Sequence, residues 1–488
     1  MQVALSFFMA AKQAPAAIYE VYAHAGLAVS DTTRRRMLTS ARAEHSRKLL
    51  NEGKSGLASI TWDNLDFSLS VAANTQDNQA KFESITTGLT FQLEHGVTKD
   101  DLKRPHVTPP PADYPELRVP NRWVTQAPTA SDIRPPFEAR DRVKEAMLWV
   151  IREILVKELA PELQQELGDI PSHLRIPQTR TTHRPIVAIR EKCSTTDGNL
   201  NVLESWLKQT GITDEVIRLV VTLVHGDLGV LERVKSIHKS RRIERTDREA
   251  FEFIETVPGL FHVLMACADA IWRVYIEPKP QQDDPRGVFH QFLTLNPAGL
   301  AKLKSNPPFR MLHNGIEHVL AARVLECARS SLNVATIKDV QKLPFTFHQI
   351  QDLALTIYKN HVEGGLHLDE LGNDGFEKLS VQEQAAKNRR LFNRDALLYR
   401  VLARSMKLGA IGMVEDILAH WVPIFKATRK HKYASFMFEF LVRLRGLPPR
   451  LGRAIRLNWL CNPTGSKEGF RAIDWVVELN NCYVKVSD

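Results

Sequence analysis

The run Val216-Ile217-Arg218-Leu219-Val220-Val221-Thr222-Leu223-Val224 is the strongest buried-strand signal in the chain, and it stops at His225-Gly226-Asp227-Leu228-Gly229. A run this rich in β-branched and aliphatic residues reads as a strand buried on both faces, which belongs to an α/β fold. Its end places a glycine-flanked acid, Asp227, at the carboxyl edge of the sheet. That edge is where open α/β sheets expose the groups that do chemistry.

Two further strands are expected nearby. Residues 57–62 run into Asp63-Asn64, and residues 85–93 are rich in β-branched side chains. A short strand is expected over 253–257, followed by an apolar stretch, 260–276, that contains His262. Helical spacing covers 4–25, 31–50, 138–167, 203–208, 231–249, 393–408, 413–425 and 433–445, and residues 285–395 read as helices and loops without a strand. Between Pro105 and Pro136 lie nine of the chain's 26 prolines, which predicts a long extended surface connection. The chain divides accordingly into an N-terminal helical segment (1–52), a first part of the α/β core (53–98), a Pro-rich insertion with a helix (99–200), a second part of the core (201–284), a helical insertion (285–392) and a C-terminal helical part (393–488).

Cations concentrate on two of these elements. The helix over 31–50 carries Arg34, Arg35 and Arg36, and with its predecessor and the linker 26–30 it reads either as a helix-turn-helix with a basic second helix or as a plain helical hairpin with a solvated face. The helix over 231–249 carries Lys239, Arg241, Arg242 and Arg245, which would track phosphates or form a solvated face with Glu244 and Asp247. The net charge of +9 over 488 residues favours a polyanionic partner, though mild basicity is also common among intracellular proteins. Five cysteines, with no Cys-x-x-Cys, suggest neither a disulfide framework nor a cysteine zinc site. The apolar stretch 3–11 lacks a preceding cation and ends at Lys12, too short for a membrane span. A nuclear or cytoplasmic protein, neither secreted nor transmembrane, is expected.

Phosphate-binding loops, dinucleotide fingerprints, nucleophile elbows and zinc-peptidase helices are all missing from the sequence. What remains is acids on sheet elements: Asp63 at the end of one strand and Asp227 at the end of another. Such carboxylates are the hard oxygen ligands that Mg²⁺ or Mn²⁺ needs for phosphoryl transfer. A third acid on a later helix would complete the set, with Glu415 as the candidate and Asp416 and Asp395 as rivals. By spacing alone, solvated or capping carboxylates are the plainer reading, and His262 reads first as a satisfied core histidine.

Trp62-Asp63-Asn64-Leu65-Asp66-Phe67, His225-Gly226-Asp227-Leu228-Gly229, Pro258-Gly259-Leu260-Phe261-His262, Asn393-Arg394-Asp395 and Leu460-Cys461-Asn462-Pro463-Thr464-Gly465 together resemble a family of mushroom-forming fungi catalogued as domain of unknown function 6589. The resemblance runs from near residue 14 through Asp474, although many relatives read Gly-Asp-Gln where this chain has Gly226-Asp227-Leu228. The order acid, acid, strand with histidine, helical insertion and acid is similar to ribonuclease-H-like transposases. The resemblance implies a ribonuclease-H-like mixed sheet with a large all-helical insertion and an N-terminal helical pair. It also implies Asp63, Asp227 and Glu415 as metal ligands, and His262 as counterpart of the histidine that follows the second acid. The expected function is Mg²⁺- or Mn²⁺-dependent cutting or joining of nucleic acid, DNA before RNA; the alternative is a catalytically inactive scaffold that binds nucleic acid or another protein.

Overall fold

The long apolar run divides at Val220. Thr213 caps a helix over Asp214–Leu219, its hydroxyl accepting from the Val216 amide at 3.3 Å, and the strand begins only at Thr222. Thr-Asp-Glu is an N-cap followed by two first-turn acids, a local signal strong enough to override the β-propensity of the residues behind it. Leu219 is correspondingly half exposed. The expected nine-residue strand is therefore a short helix followed by a short strand.

The computed structural model describes residues 1–12, 14–69, 81–104, 132, 134–363 and 381–485. Most of the proline-rich connection expected over 105–136 lies outside these residues. Five strands form one sheet: β1 (Ala58–Leu69), β2 (Lys81–Gln92), β3 (His183–Pro185), β4 (Thr222–Gly226) and β5 (Ile254–Pro258), in the order β3-β2-β1-β4-β5. β1 is antiparallel to β2 and parallel to β4, and β4 is parallel to β5, so the sheet is mixed. The register sets Asp63 opposite Thr87, Ile60 opposite Val224 and Gly226 opposite Pro258. This order resembles a ribonuclease-H-like topology.

Alternation along β1 decides what each face meets. Trp62 is buried and its indole donates to Asn199 of the helix Thr196–Thr210 at 2.9 Å. Asp63 points the other way, where Asn481 of the C-terminal helix Ile473–Lys485 donates to its carboxylate at 3.3 Å. That second face is sealed by Leu89 and Phe91 of β2 against Ile473, Val476 and Val477. The helix follows directly on β7 (Arg471–Ala472), which pairs with β6 (Leu460–Cys461). The helical spacing read from the sequence stops at 445, short of these elements.

Several helix limits move for local reasons. Pro15 divides the expected first helix into Gln2–Ala11 and Ala16–His24. The basic helix runs on to Ser55, where Gly56 closes it in the left-handed conformation at φ +66°. The helix expected over 138–167 spans Phe137–Leu159 and passes into a 3₁₀ turn at Pro161. The charged element expected over 231–249 is a helix over Leu228–Ser240 and a separate turn of helix over Asp247–Ala250. Between β5 and β6 the described residues are helical, with Leu260–Tyr275, Phe309–Ser331, Val381–Lys407, Ile411–Ala427 and His431–Gly446 the longer members. The chain is thus largely helical around one mixed sheet, and no described helix is long and apolar enough to cross a membrane.

Candidate functional site

β4 and β5 end beside one another, but β1 continues past them to Leu69, paired with β2, so Asp63 lies within its strand and not at the strand end the sequence suggested. Asp227 follows β4 directly and caps the helix Leu228–Ser240, its Oδ1 accepting from the Val230 amide at 2.7 Å. The Gly226 carbonyl accepts from the Gly259 amide at 2.7 Å, which holds the ends of β4 and β5 together. Asp63 lies two residues beyond the last β1–β4 pair, Thr61 with His225. His262 is not on a strand, as the sequence order suggests; it sits in the first turn of the helix Leu260–Tyr275.

Asp474, on the C-terminal helix, binds that first turn. Its carboxylate accepts from the Phe261 amide at 3.1 Å, from the His262 amide at 3.0 Å and from His262 Nδ1 at 3.0 Å. The helix Leu260–Tyr275 has no capping side chain of its own, so Asp474 supplies the cap from across the fold. Gly259 permits the approach: a Cβ there would lie 2.4 Å from Asp474 Oδ2. Glu478, one turn further along the same helix, brings Oε1 to 3.7 Å from His262 Nε2.

The electrostatics show which groups share this space. Burial pushes the Asp63 carboxyl up to about 6, helped by the charges of Glu478 and Asp227 and opposed by a backbone hydrogen bond at Asn64 and by His262. Burial works against a charged His262, but the hydrogen bond and charge of Asp474, with Asp227 and Glu478 behind it, hold the imidazole protonated and push it up to about 9. Cys193 is raised to about 11 by burial, and Asp63 and Asp227 add to the shift. His225, fully buried on β4 with neither ring nitrogen hydrogen-bonded, is pushed down to about 3 by desolvation. The site is a set of carboxylates facing one imidazolium.

Glu415 does not join it. That carboxylate is buried in the helix Ile411–Ala427 and receives both Nε and Nη2 of Arg456, at 2.5 and 3.0 Å. Its rivals are also engaged: Asp416 takes two hydrogen bonds from Arg142 at 2.6 and 3.0 Å, and Asp395 accepts from Tyr275 Oη at 2.7 Å and pairs with Arg394 at 2.8 Å. Exchanging Glu415 for glutamine is expected to lower stability by about 2 kcal/mol, the order of one charged hydrogen bond, and to leave metal binding unchanged; urea unfolding beside a Mn²⁺ titration checks both.

The basic elements are partly neutralised. Arg34 and Arg35 both bind Asp31, and Arg34 stacks over Tyr19 with 4.5 Å to the ring centroid; Arg36 is exposed. Their helix docks onto the core at its other end, where a Cβ on Gly53 would meet the Thr210 carbonyl at 2.1 Å. Arg241 pairs with Glu244 at 3.0 Å, Arg242 is half-buried, and Lys239 and Arg245 are exposed. The structure brings together Asp63, Asp227 and His262 from the sequence candidates, and adds Asp474 and Glu478. Their signal was an i, i+4 acid pair set among Ile473, Trp475, Val476, Val477 and Leu479. Among the described residues no group of three or more His, Cys, Asp or Glu side chains is close enough to hold a metal ion together.

No curated protein matches the chain. A solved structure, the Drosophila P element transposase strand transfer complex, is similar over 92% of this chain and 91% of its own, at 9% identity and a TM-score of 0.29, too loose a superposition to transfer any residue or role. The family match covers residues 124–487, so Asp227, His262, Asp474 and Glu478 fall within it while the Trp62–Phe67 motif lies ahead of it. On that match, the chain belongs to the family of unknown function DUF6589.

Proposed function

We propose that this is a ribonuclease-H-like protein, derived from a transposable element, that acts on DNA phosphodiester bonds with Asp63, Asp227 and Glu478 as its working carboxylates. The observation that carries the reading is the meeting of the sheet with the C-terminal helix, where Asn481 donates to Asp63 at 3.3 Å and Glu478 lies 3.7 Å from His262; burial, with the charges of Glu478 and Asp227, raises Asp63 to about 6 there. Carboxylates crowded this way are a hard-oxygen donor set short of positive charge, which suits Mg²⁺ or Mn²⁺. The fit is one of charge and donor type; the side chains would have to close in to share an ion. Such ions, when bound, polarise the phosphodiester and lower the pKa of the attacking oxygen. Asp474 keeps His262 protonated and in place beside Glu478, and Asp227 is held by its own helix. Lys239 and Arg36 are exposed cations proposed to meet DNA phosphates.

The spacing of the carboxylates favours a second reading, a catalytically inactive scaffold that binds nucleic acid through its basic surface. Calorimetric titration of Mn²⁺ into the wild type, Asp227→Asn and Glu478→Gln separates the two. Asparagine caps helices about as well as aspartate, so the first variant keeps its fold. Binding in the wild type that both substitutions weaken at least tenfold is the expected result. No Mn²⁺ binding, together with DNA binding that falls steeply with salt, would establish the scaffold instead.

A further inference from the structure

Away from the carboxylates, a cavity of about 640 Å³ opens in the helical region between Val288–Leu295, Phe309–Ser331 and Val381–Lys407. Leu295, Val319 and Ala322 give it apolar walls, and Arg323, Arg389, Arg390, His318 and His361 line it with nitrogen. One acid, Glu326, is also in the lining, but its carboxylate is taken by Arg329, at 2.7 and 2.9 Å. Among the described residues neither the Arg389 nor the Arg390 guanidinium has an ion-pair partner. The wall therefore carries an excess of positive charge in a partly enclosed space.

Arg323 is fixed rather than mobile. Its Nε donates to Asn393 Oδ1 at 2.6 Å, its Nη2 to the Arg389 carbonyl at 3.2 Å, and its guanidinium lies 5.5 Å from the Phe392 ring centroid. Burial lowers Arg323 to about 10, and the neighbouring Arg389 adds to the fall. His361 is lowered by burial and then by Arg390 and Arg323. Like charges held this close are unfavourable unless an anion joins them.

We propose that this cavity binds a small organic phosphate, its phosphoryl oxygens held by Arg323, Arg389 and Arg390 and its carbon skeleton lying against Leu295, Val319 and Ala322. Guanidinium forks match phosphate oxygens in a bidentate way, and the volume is that of an ordinary small-molecule site. The proposal is independent of the carboxylate site.

Phenyl phosphate serves as the probe, titrated calorimetrically into the full chain with inorganic phosphate, benzoate and a 20-base-pair DNA duplex as comparators. The expected order is phenyl phosphate tighter than either inorganic phosphate or benzoate. The double substitution Arg389→Gln with Arg390→Gln should weaken it at least tenfold while leaving circular dichroism unchanged and the unfolding midpoint equal or higher, since among the described residues neither guanidinium has an ion-pair partner and their loss relieves the repulsion on Arg323 and His361. A third measurement uses Lys342→Gln, a cation elsewhere on the surface, which should bind as the wild type does. Absence of binding at millimolar probe, equal binding by the double variant, or benzoate binding as tight as phenyl phosphate would overturn the assignment. Displacement of the probe by the duplex at low salt would overturn it too, and would give these arginines to a nucleic-acid surface.

Discussion

Exchanging Asp474 for alanine is expected to destabilise the protein by about 3–5 kcal/mol, the range for removing one partner of a buried charge pair. The carboxylate is 4% exposed and serves three donors: two first-turn amides of the helix Leu260–Tyr275 and the His262 ring. Alanine would leave both amides without acceptors at a helix end that has no other cap, and would leave His262 with Glu478 alone. Asp474→Asn should cost less, about 1.5–3 kcal/mol, because the amide oxygen still accepts while the charge is lost. Urea unfolding of the three proteins at pH 7 checks the order. A change below about 1 kcal/mol for the alanine variant would mean that the C-terminal helix does not anchor the helical region to the sheet as described.

Much of the sheet was legible because its signals are local. Residues 57–62 and 85–93 alternate and carry β-branched side chains, and they form one end of the β1–β2 ladder, from Ala58 opposite Gln92 to Trp62 opposite Gly88. Asp227 was legible for the same reason: an apolar run that ends in glycine and an acid has few other structures open to it. The run's own start was misjudged because Thr213-Asp214-Glu215 begins a helix, and capping is a property of three residues that an average over nine conceals. His262 was visible as a histidine, but its partner lies more than two hundred residues away, and no periodicity reports on that.

The third acid shows the harder limit. Met413-Val414-Glu415-Asp416 looked suitable because its acids sit within an apolar helix, yet a carboxylate in such a helix is also what a neighbouring arginine requires. Arg456 and Arg142 arrive from distant elements and turn both acids into structural ion pairs. Asp474 and Glu478 share a less apolar helix, and what separates them from Glu415 is the face they meet: His262 and the sheet carrying Asp63. Each helix sets two acids among apolar residues. The tertiary neighbours decide the role of each pair, and a single sequence does not contain those neighbours in readable form.

Asp63 carries the clearest sign of being kept for something other than stability. Its folded pKa, about 6, lies above the ordinary value of 3.8, so the folded state holds the proton more tightly than the unfolded one. The linkage then has a definite direction: the contribution of this group is most favourable below pH 3.8, falls as the pH rises to about 6, and stays at its lower value beyond. The gap of about two pKa units corresponds to about 3 kcal/mol at 1.36 kcal/mol per unit. Asp63→Asn removes the ionisation and keeps the shape, so it should be more stable than the wild type by up to about 3 kcal/mol at pH 8 and no more stable at pH 3.5. Urea unfolding at the two pH values, with a chelator present, measures this directly, because a bound divalent cation would offset the repulsion in the wild type. Equal stability at pH 8 would show that neither burial nor the charges of Glu478 and Asp227 disfavour the Asp63 carboxylate. A gain at pH 8 that Mn²⁺ erases by stabilising only the wild type would identify the strain as the reserve that a cation relieves.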